Sequence, residues 1–230
     1  MHTGREACRS TNRLVTTLAA SAPGTPGPEY ALEGSVFMAG ALMQWLRDDM
    51  GVIDDVAETS AIARSVSSTD GVYVVPAFTG FGAPYWDADA RGAIYGLTRG
   101  TGRAHIVRAA LESLAYQVHD LAVAMEADAG VRLSVLNVDG GASANDFLMQ
   151  FQSDILRTPL RRPQNAETTA LGAAFLAGLA TGFWKDAEAL CALRSSDDVY
   201  EPGMEDERHA KLLEGWARAV KRTMSDALSS

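Results

Sequence analysis

Apolar positions recur along the chain with two periods, and each period predicts its own kind of element. The longest helical repeat covers 103–129, where Ile106, Ala110, Leu114, Val118, Leu121 and Met125 form one stripe and Thr101 is placed to cap it. Shorter helical patterns predict helices over 36–50 (core side Phe37, Ala41 and Leu46), 54–67, 167–184, 186–193 and 205–228. Runs bounded by Gly, Pro or polar residues predict strands at 14–18, 29–35, 71–76, 92–97, 135–138 and 159–163. Thr3-Gly4 reads as a turn, and the Pro/Gly-rich stretch 21–28 closes the first two strands into a hairpin. Strands and helices alternate after it, so the fold class is α/β, a mixed sheet flanked by helices.

One stretch combines these signals most densely: Leu136-Asn137-Val138-Asp139-Gly140-Gly141-Ala142-Ser143-Ala144-Asn145-Asp146. A strand ends in a Gly-Gly pair, and the helical pattern of Phe147, Leu148, Phe151 and Ile155 begins directly afterwards. Residues without Cβ let a ligand approach the backbone, and the unpaired N–H groups of a helix start point at the same place. Ser143 and Asp146 have capping-box spacing, which puts Asn145 in the first turn, facing the turn's mouth. A sharp turn with no ligand explains the same residues.

Gly40 and Gln44, one turn apart in the 36–50 helix, share a face. A flat ring could lie against the backbone at Gly40 and bond the Gln44 amide, although close helix-to-sheet packing is the commoner reason for a helix glycine. The segment 77–87 is dense in Gly, Pro and aromatics and reads as an ordered loop, packed on the core or bordering a site. His105, Glu112, His119 and Asp120 form no dyad at catalytic spacing, so they read as solvated or structurally bonded. Ala170, Ala173, Ala174, Ala177 and Gly178 read as a small-residue packing face.

Bulk properties narrow the choice. With 230 residues, 47% of them hydrophobic, the chain can bury a sizeable core. A net charge of -9 speaks against nucleic acid as a partner, and the Arg157, Arg161 and Arg162 cluster is too small to reverse that. Arg218, Lys221 and Arg222 read as the solvated face of the last helix. The most apolar run, 170–184, is too short and too rich in Gly and Ala to span a membrane. Cys8 and Cys191 share no metal-ligand spacing with a histidine, and a reducing, cytoplasmic setting fits them. P-loop, HExxH, CxxC and catalytic-triad patterns are absent from the sequence.

Two stretches carry a resemblance. Gly92-Ala93-Ile94-Tyr95-Gly96-Leu97, followed after seven residues by His105-Ile106-Val107-Arg108-Ala109-Ala110-Leu111-Glu112, resembles the carboxyl-terminal signature of the FGGY carbohydrate kinases. Residues 30–40, 76–87 and Val138-Asp139-Gly140-Gly141 resemble the members that phosphorylate glycerol. The resemblance implies an actin/hexokinase-like (ribonuclease H-like) ATPase fold. Residues 1–230 would form the carboxyl-terminal, nucleotide-binding domain, without its first strand and without the amino-terminal substrate domain. It implies that Gly40 and Gln44 face Gly141 and Asn145 across one adenosine pocket, with ATP and Mg²⁺ as cofactors.

The same resemblance puts the catalytic base, most glycerol contacts and the first phosphate loop outside this sequence. The chain alone is therefore expected to hold ATP weakly and transfer nothing, with no catalytic or metal-ligating residue of its own. A separately encoded amino-terminal half is the expected partner, and an open sheet edge is expected to favour a homo-oligomer. Two alternatives stay open: a domain of another FGGY kinase acting on a pentose, pentulose or polyol, and a non-catalytic nucleotide-binding or interaction module.

Overall fold

The computed structural model describes residues 1–165, 167–191 and 197–225. The chain opens with β1 (His2–Gly4), β2 (Val15–Leu18) and β3 (Tyr30–Glu33), an antiparallel sheet in the order β1-β3-β2. The predicted hairpin forms, with Val15 opposite Glu33 and Leu18 opposite Tyr30. β1 stands where a turn was expected, because its partner β3 is distant in sequence and no local pattern announces it. α1 (Gly40–Asp48) starts later than expected and buries Leu42, Met43 and Leu46. Phe37 therefore lies ahead of the helix and is 46% exposed, while Ala41 falls beside the buried stripe and is exposed too.

The 54–67 helix is broken in two. A 3-10 turn (Val56–Glu58), capped by the Asp55 carboxylate on Ala57 N, runs into α2 (Thr59–Arg64). β4 (Tyr73–Val75) and β5 (Ala93–Tyr95) pair antiparallel. α3 (Arg103–Ala129) has the bounds its periodicity predicts and is closed by left-handed Gly130, but its N-cap is Gly102 rather than Thr101. There follow β6 (Leu136–Asn137), a 3-10 turn (Gly141–Ala144), α4 (Asp146–Leu156), β7 (Leu160–Arg162), α5 (Thr168–Thr181), α6 (Ala187–Cys191), β8 (Asp198–Tyr200) and α7 (Asp206–Thr223). β8 occupies a stretch that reads as a polar link. The predicted helix ends at Leu193 and Leu228 lie outside the described residues.

α3 is the axis of the core. All ten residues from Val107 to Tyr116 are buried, so the helix is covered on every side in its middle rather than along one stripe. α2, α4, α1 and β4 pack around it. Tyr116 stacks on Trp216 of α7 at 5.2 Å and meets the edge of Phe151 of α4 at 5.5 Å. Each such aromatic pair contributes about 0.5–1.5 kcal/mol beyond the burial of its area.

Among the described residues the strands form three separate sheets, of which β6-β7-β8 is mixed: β6 runs parallel and β8 antiparallel to β7. Leu136 N donates to Pro159 O and Val138 N to Arg161 O, so alternation turns the Asn137 backbone away from β7. α5 is the least embedded long helix. Ala170, Ala173, Ala174 and Ala177 are exposed, against the packing role expected of them, and only Gly178 is buried, beneath the Trp184 ring. The sequence pattern shows that a small face can pack closely; whether a neighbour is there to meet it depends on the rest of the fold.

Candidate functional site

The Gly-Gly turn and the helix after it form as expected, with a different division of labour. Gly140 takes a φ of 77°, the conformation glycine tolerates best, and starts the 3-10 turn. Ser143 does not cap α4: its hydroxyl donates back to Gly140 O at 2.7 Å and the residue is buried. The cap is Asn145, whose Oδ1 accepts from Leu148 N at 3.0 Å. Its Nδ2 donates to Thr59 Oγ1 at 3.0 Å, so its amide is turned toward α2. Thr59 is fully buried and in turn donates to Val56 O.

Gly40 and Gln44 lie on the exposed face of α1, at its first residue and one turn on. Gly40 has no neighbour within 4 Å of a Cβ placed on it, and neither does Gly141. Neither residue has a positive φ. Close packing, the commoner reason for a helix glycine, therefore does not operate at Gly40. The two pairs are linked through one element: α1 packs against the Val56–Glu58 turn, and Thr59, next in sequence, holds Asn145. No local pattern reports that link, because a threonine at the head of α2 and an asparagine so much later in the chain lie in separate segments.

The aromatic loop braces α1 from behind. Phe78 packs on Trp45 of α1 at 4.8 Å, and a Cβ on Gly82 would lie 2.6 Å from Ser35 O and 3.1 Å from the Phe37 ring. Asp120 of α3 ties this loop to the last helix, accepting from Tyr85 OH at 2.8 Å and Trp216 Nε1 at 2.7 Å. Glu112, 3% exposed, pairs with Arg108 at 2.8 Å, and Arg108 also reaches Ala63 O of α2 and covers the Phe147 ring of α4. Burial pushes the Glu112 carboxyl up, and the Arg108 guanidinium opposes that shift. Both carboxylates are structurally bonded, Glu112 buried and Asp120 partly so.

The N-terminal end of α4 is held by charge. Asp146 accepts from Tyr200 OH at 2.6 Å and from Arg162 at 2.9 Å, and these bonds keep its carboxyl below the usual carboxylate range. Burial pushes the Tyr200 phenol up to about 12, so it remains a donor across the neutral range.

A cavity adjoins the end of β6 and the first turns of α5. It measures about 660 Å³ and is lined by Asn137, Asp139 and Thr168, and by Leu171, Gly172 and Phe175 of α5. None of the four expected binding residues lines it. Gly172 shares with Gly40 and Gly141 the lack of any close neighbour. Among the described residues no three His, Cys, Asp or Glu side chains are grouped to hold a metal ion, and no helix is long and apolar enough to cross a membrane.

Residues 1–181 match the FGGY family of carbohydrate kinases, C-terminal domain. The chain is 57% identical over 224 residues to the glycerol kinase of Alkaliphilus oremlandii, covering 97% of this chain and 44% of that protein. It superposes on the crystal structure of Plasmodium falciparum glycerol kinase with ADP at a TM-score of 0.90 and 41% identity, over 97% of this chain and 44% of that one. A xylulose kinase structure from Lactobacillus acidophilus, at 23% identity and a TM-score of 0.73, shares the fold over 94% of this chain and 46% of its own. The chain thus spans less than half the length of these proteins. Its α/β architecture is that of the actin/hexokinase-like ATPases, and the chain belongs to the FGGY family of carbohydrate kinases.

Proposed function

We propose that the chain is the nucleotide-binding half of a kinase that transfers a phosphoryl group from ATP to glycerol, giving glycerol 3-phosphate and ADP. Gly40 and Gln44 form one wall of an adenosine pocket, and Gly141 with Asn145 forms the other. The observation that carries this reading is the pair of glycines, Gly40 and Gly141, that neither backbone conformation nor internal packing requires. A missing Cβ over open space suits the flat face of a purine. The glycerol kinase bound to ADP, and the 57% identity to a second glycerol kinase, support nucleotide and acceptor alike.

Phosphoryl transfer requires donor phosphates, acceptor hydroxyl and base to be positioned together, and positioning supplies most of the catalysis. The four residues named here bind only the nucleoside end of the donor. Mg²⁺ would arrive with the nucleotide, since it is commonly held by phosphates and one or two carboxylates rather than by a protein cage. It would neutralise charge on the transferring phosphates, and this chain offers no side-chain cluster for it among the described residues. The carboxylate base and most of the acceptor contacts would belong to an amino-terminal half, and the chain alone is expected to bind ADP without turnover.

Mixing the chain with the amino-terminal half of a glycerol kinase tests the reading. Glycerol-dependent ADP formation in the mixture, absent from either part, is the expected result. ADP binding with no turnover in any mixture would replace it with a non-catalytic nucleotide module. Turnover with a pentulose but not glycerol would move the chain to another branch of the family.

A further inference from the structure

We propose that Arg162, at the end of β7, is a positioning residue that holds the Gly140–Asn145 turn in its nucleotide-ready shape, an inference that rests on the nucleotide reading above. Its guanidinium reaches three acceptors on separate segments. Nη1 donates to the Ser143 carbonyl at 2.7 Å and to Asp146 Oδ1 at 2.9 Å. Nη2 and Nε donate to Asp198 Oδ2 of β8 at 2.7 and 3.2 Å. The charged plane lies over the Tyr200 ring at 5.3 Å, and the Tyr200 hydroxyl closes the circuit on the same Asp146 oxygen.

This network converges on the turn from one side. Ser143 passes the constraint to Gly140 through its own hydroxyl and N–H, both bonded to Gly140 O. Asn145 fixes the other end through Thr59. Between those anchors stands Gly141, which has no side chain to hold it and no neighbour within 4 Å of its Cβ position. The place where the nucleotide base would lie is therefore shaped by anchors on either side of it, and Arg162 is the charged one.

A lysine cannot substitute. Three acceptors set around a planar fork match a guanidinium, whereas an ammonium offers its donors around a single point. Loss of the guanidinium leaves the Ser143 carbonyl, part of a residue only 3% exposed, without its charged donor and removes the shared counter-charge of Asp146 and Asp198. Arg162 lies outside the hydrophobic core, so the damage falls on the turn rather than on the packing.

The test uses R162Q and R162K in the whole chain with two readouts, amide hydrogen exchange over residues 141–148 and ADP affinity by calorimetry. R162Q is expected to speed exchange at 142–145 and to weaken ADP, each by about tenfold, the scale of one charge-assisted hydrogen bond, with the thermal midpoint held within a few degrees. R162K is expected to recover little of either, and it carries both readouts if R162Q does not fold. R218Q, which breaks an exposed ion pair on α7, is the control that changes neither. Wild-type ADP affinity in R162Q, or full rescue by R162K, overturns the proposal while leaving the nucleotide reading standing. A wild-type chain that binds no ADP overturns the nucleotide reading and this proposal with it, while unchanged exchange in R162Q separately rejects the anchoring of the turn.

Discussion

Glycines in two regions of this molecule stand for opposite reasons. Around the aromatic loop and β5 they are imposed from within: a Cβ on Gly96 would lie 2.0 Å from Gly71 O at a φ of 82°, and one on Gly82 would meet Ser35 O at 2.6 Å. On the α1 face and at the 141 turn nothing lies within 4 Å of the same position, and the backbone is one any residue can adopt. The first group is explained by the fold. The second has no such internal cause, and the proposed nucleotide would supply one, which makes glycine substitution a direct way to separate stability from binding.

The largest effect is expected at the first group. Gly96→Val adds a close contact with backbone to a left-handed strain, costing about 4–5 kcal/mol, and the chain should unfold near ambient temperature in a thermal melt. Arg108→Met comes next. It leaves Glu112 buried without its counter-charge and should cost about 3 kcal/mol or more in chemical denaturation, while ADP affinity of the folded fraction stays at the wild-type value. A nucleotide-specific loss in this variant would break the separation between a structural core and a receptive face.

A smaller effect is expected where a surface loop is clamped to the far end of α3. Asp128 accepts from Ser10 Oγ at 2.5 Å, from Thr11 N and Oγ1 at 2.9 and 2.8 Å, and from Asn12 Nδ2 at 2.8 Å. Burial raises its carboxyl pKa, but these bonds together outweigh burial and hold it well below the usual range. A depressed folded-state value means stability that is present above the unfolded value of about 3.9 and is lost as pH falls through the folded one. Asp128→Asn should cost about 1–3 kcal/mol at neutral pH and flatten the acid limb of a stability-against-pH curve. An unaltered acid limb would assign that limb to other carboxylates.

Much of this division was legible in the sequence, and what was not has a common cause. The bounds of α3, the β2–β3 hairpin and the strand–turn–helix at the Gly-Gly pair follow from patterns contained in one segment. β1, β8 and the exposure of α5 depend on partners far along the chain, or on their absence, and no window of residues reports those. The site shows the same limit. Gly40 and Gly141 could be picked out because a glycine announces an open backbone, and Asn145 because capping-box spacing puts it in the first turn, although its amide faces α2 and not the turn's mouth. The Thr59 bond that turns the Asn145 amide inward, and the Arg162 network on the same turn, each join residues from separate elements. Ser143, read as a cap, is recruited by Gly140 instead, since its hydroxyl can reach a carbonyl within its own turn.

The smallest expected change in stability accompanies the largest expected change in function. Gly40→Val and Gly141→Val fill open space on permissive backbone, so each should alter unfolding free energy by no more than about 0.5 kcal/mol. Calorimetric titration of ADP into the wild-type chain and Gly141→Val, with a thermal melt of each, separates the proposed binding role of Gly141 from its part in the fold. Measurable binding to the wild type, none to Gly141→Val, and superimposable melts are the expected outcome. Equal ADP affinity in the two proteins would remove Gly141 from the nucleotide pocket.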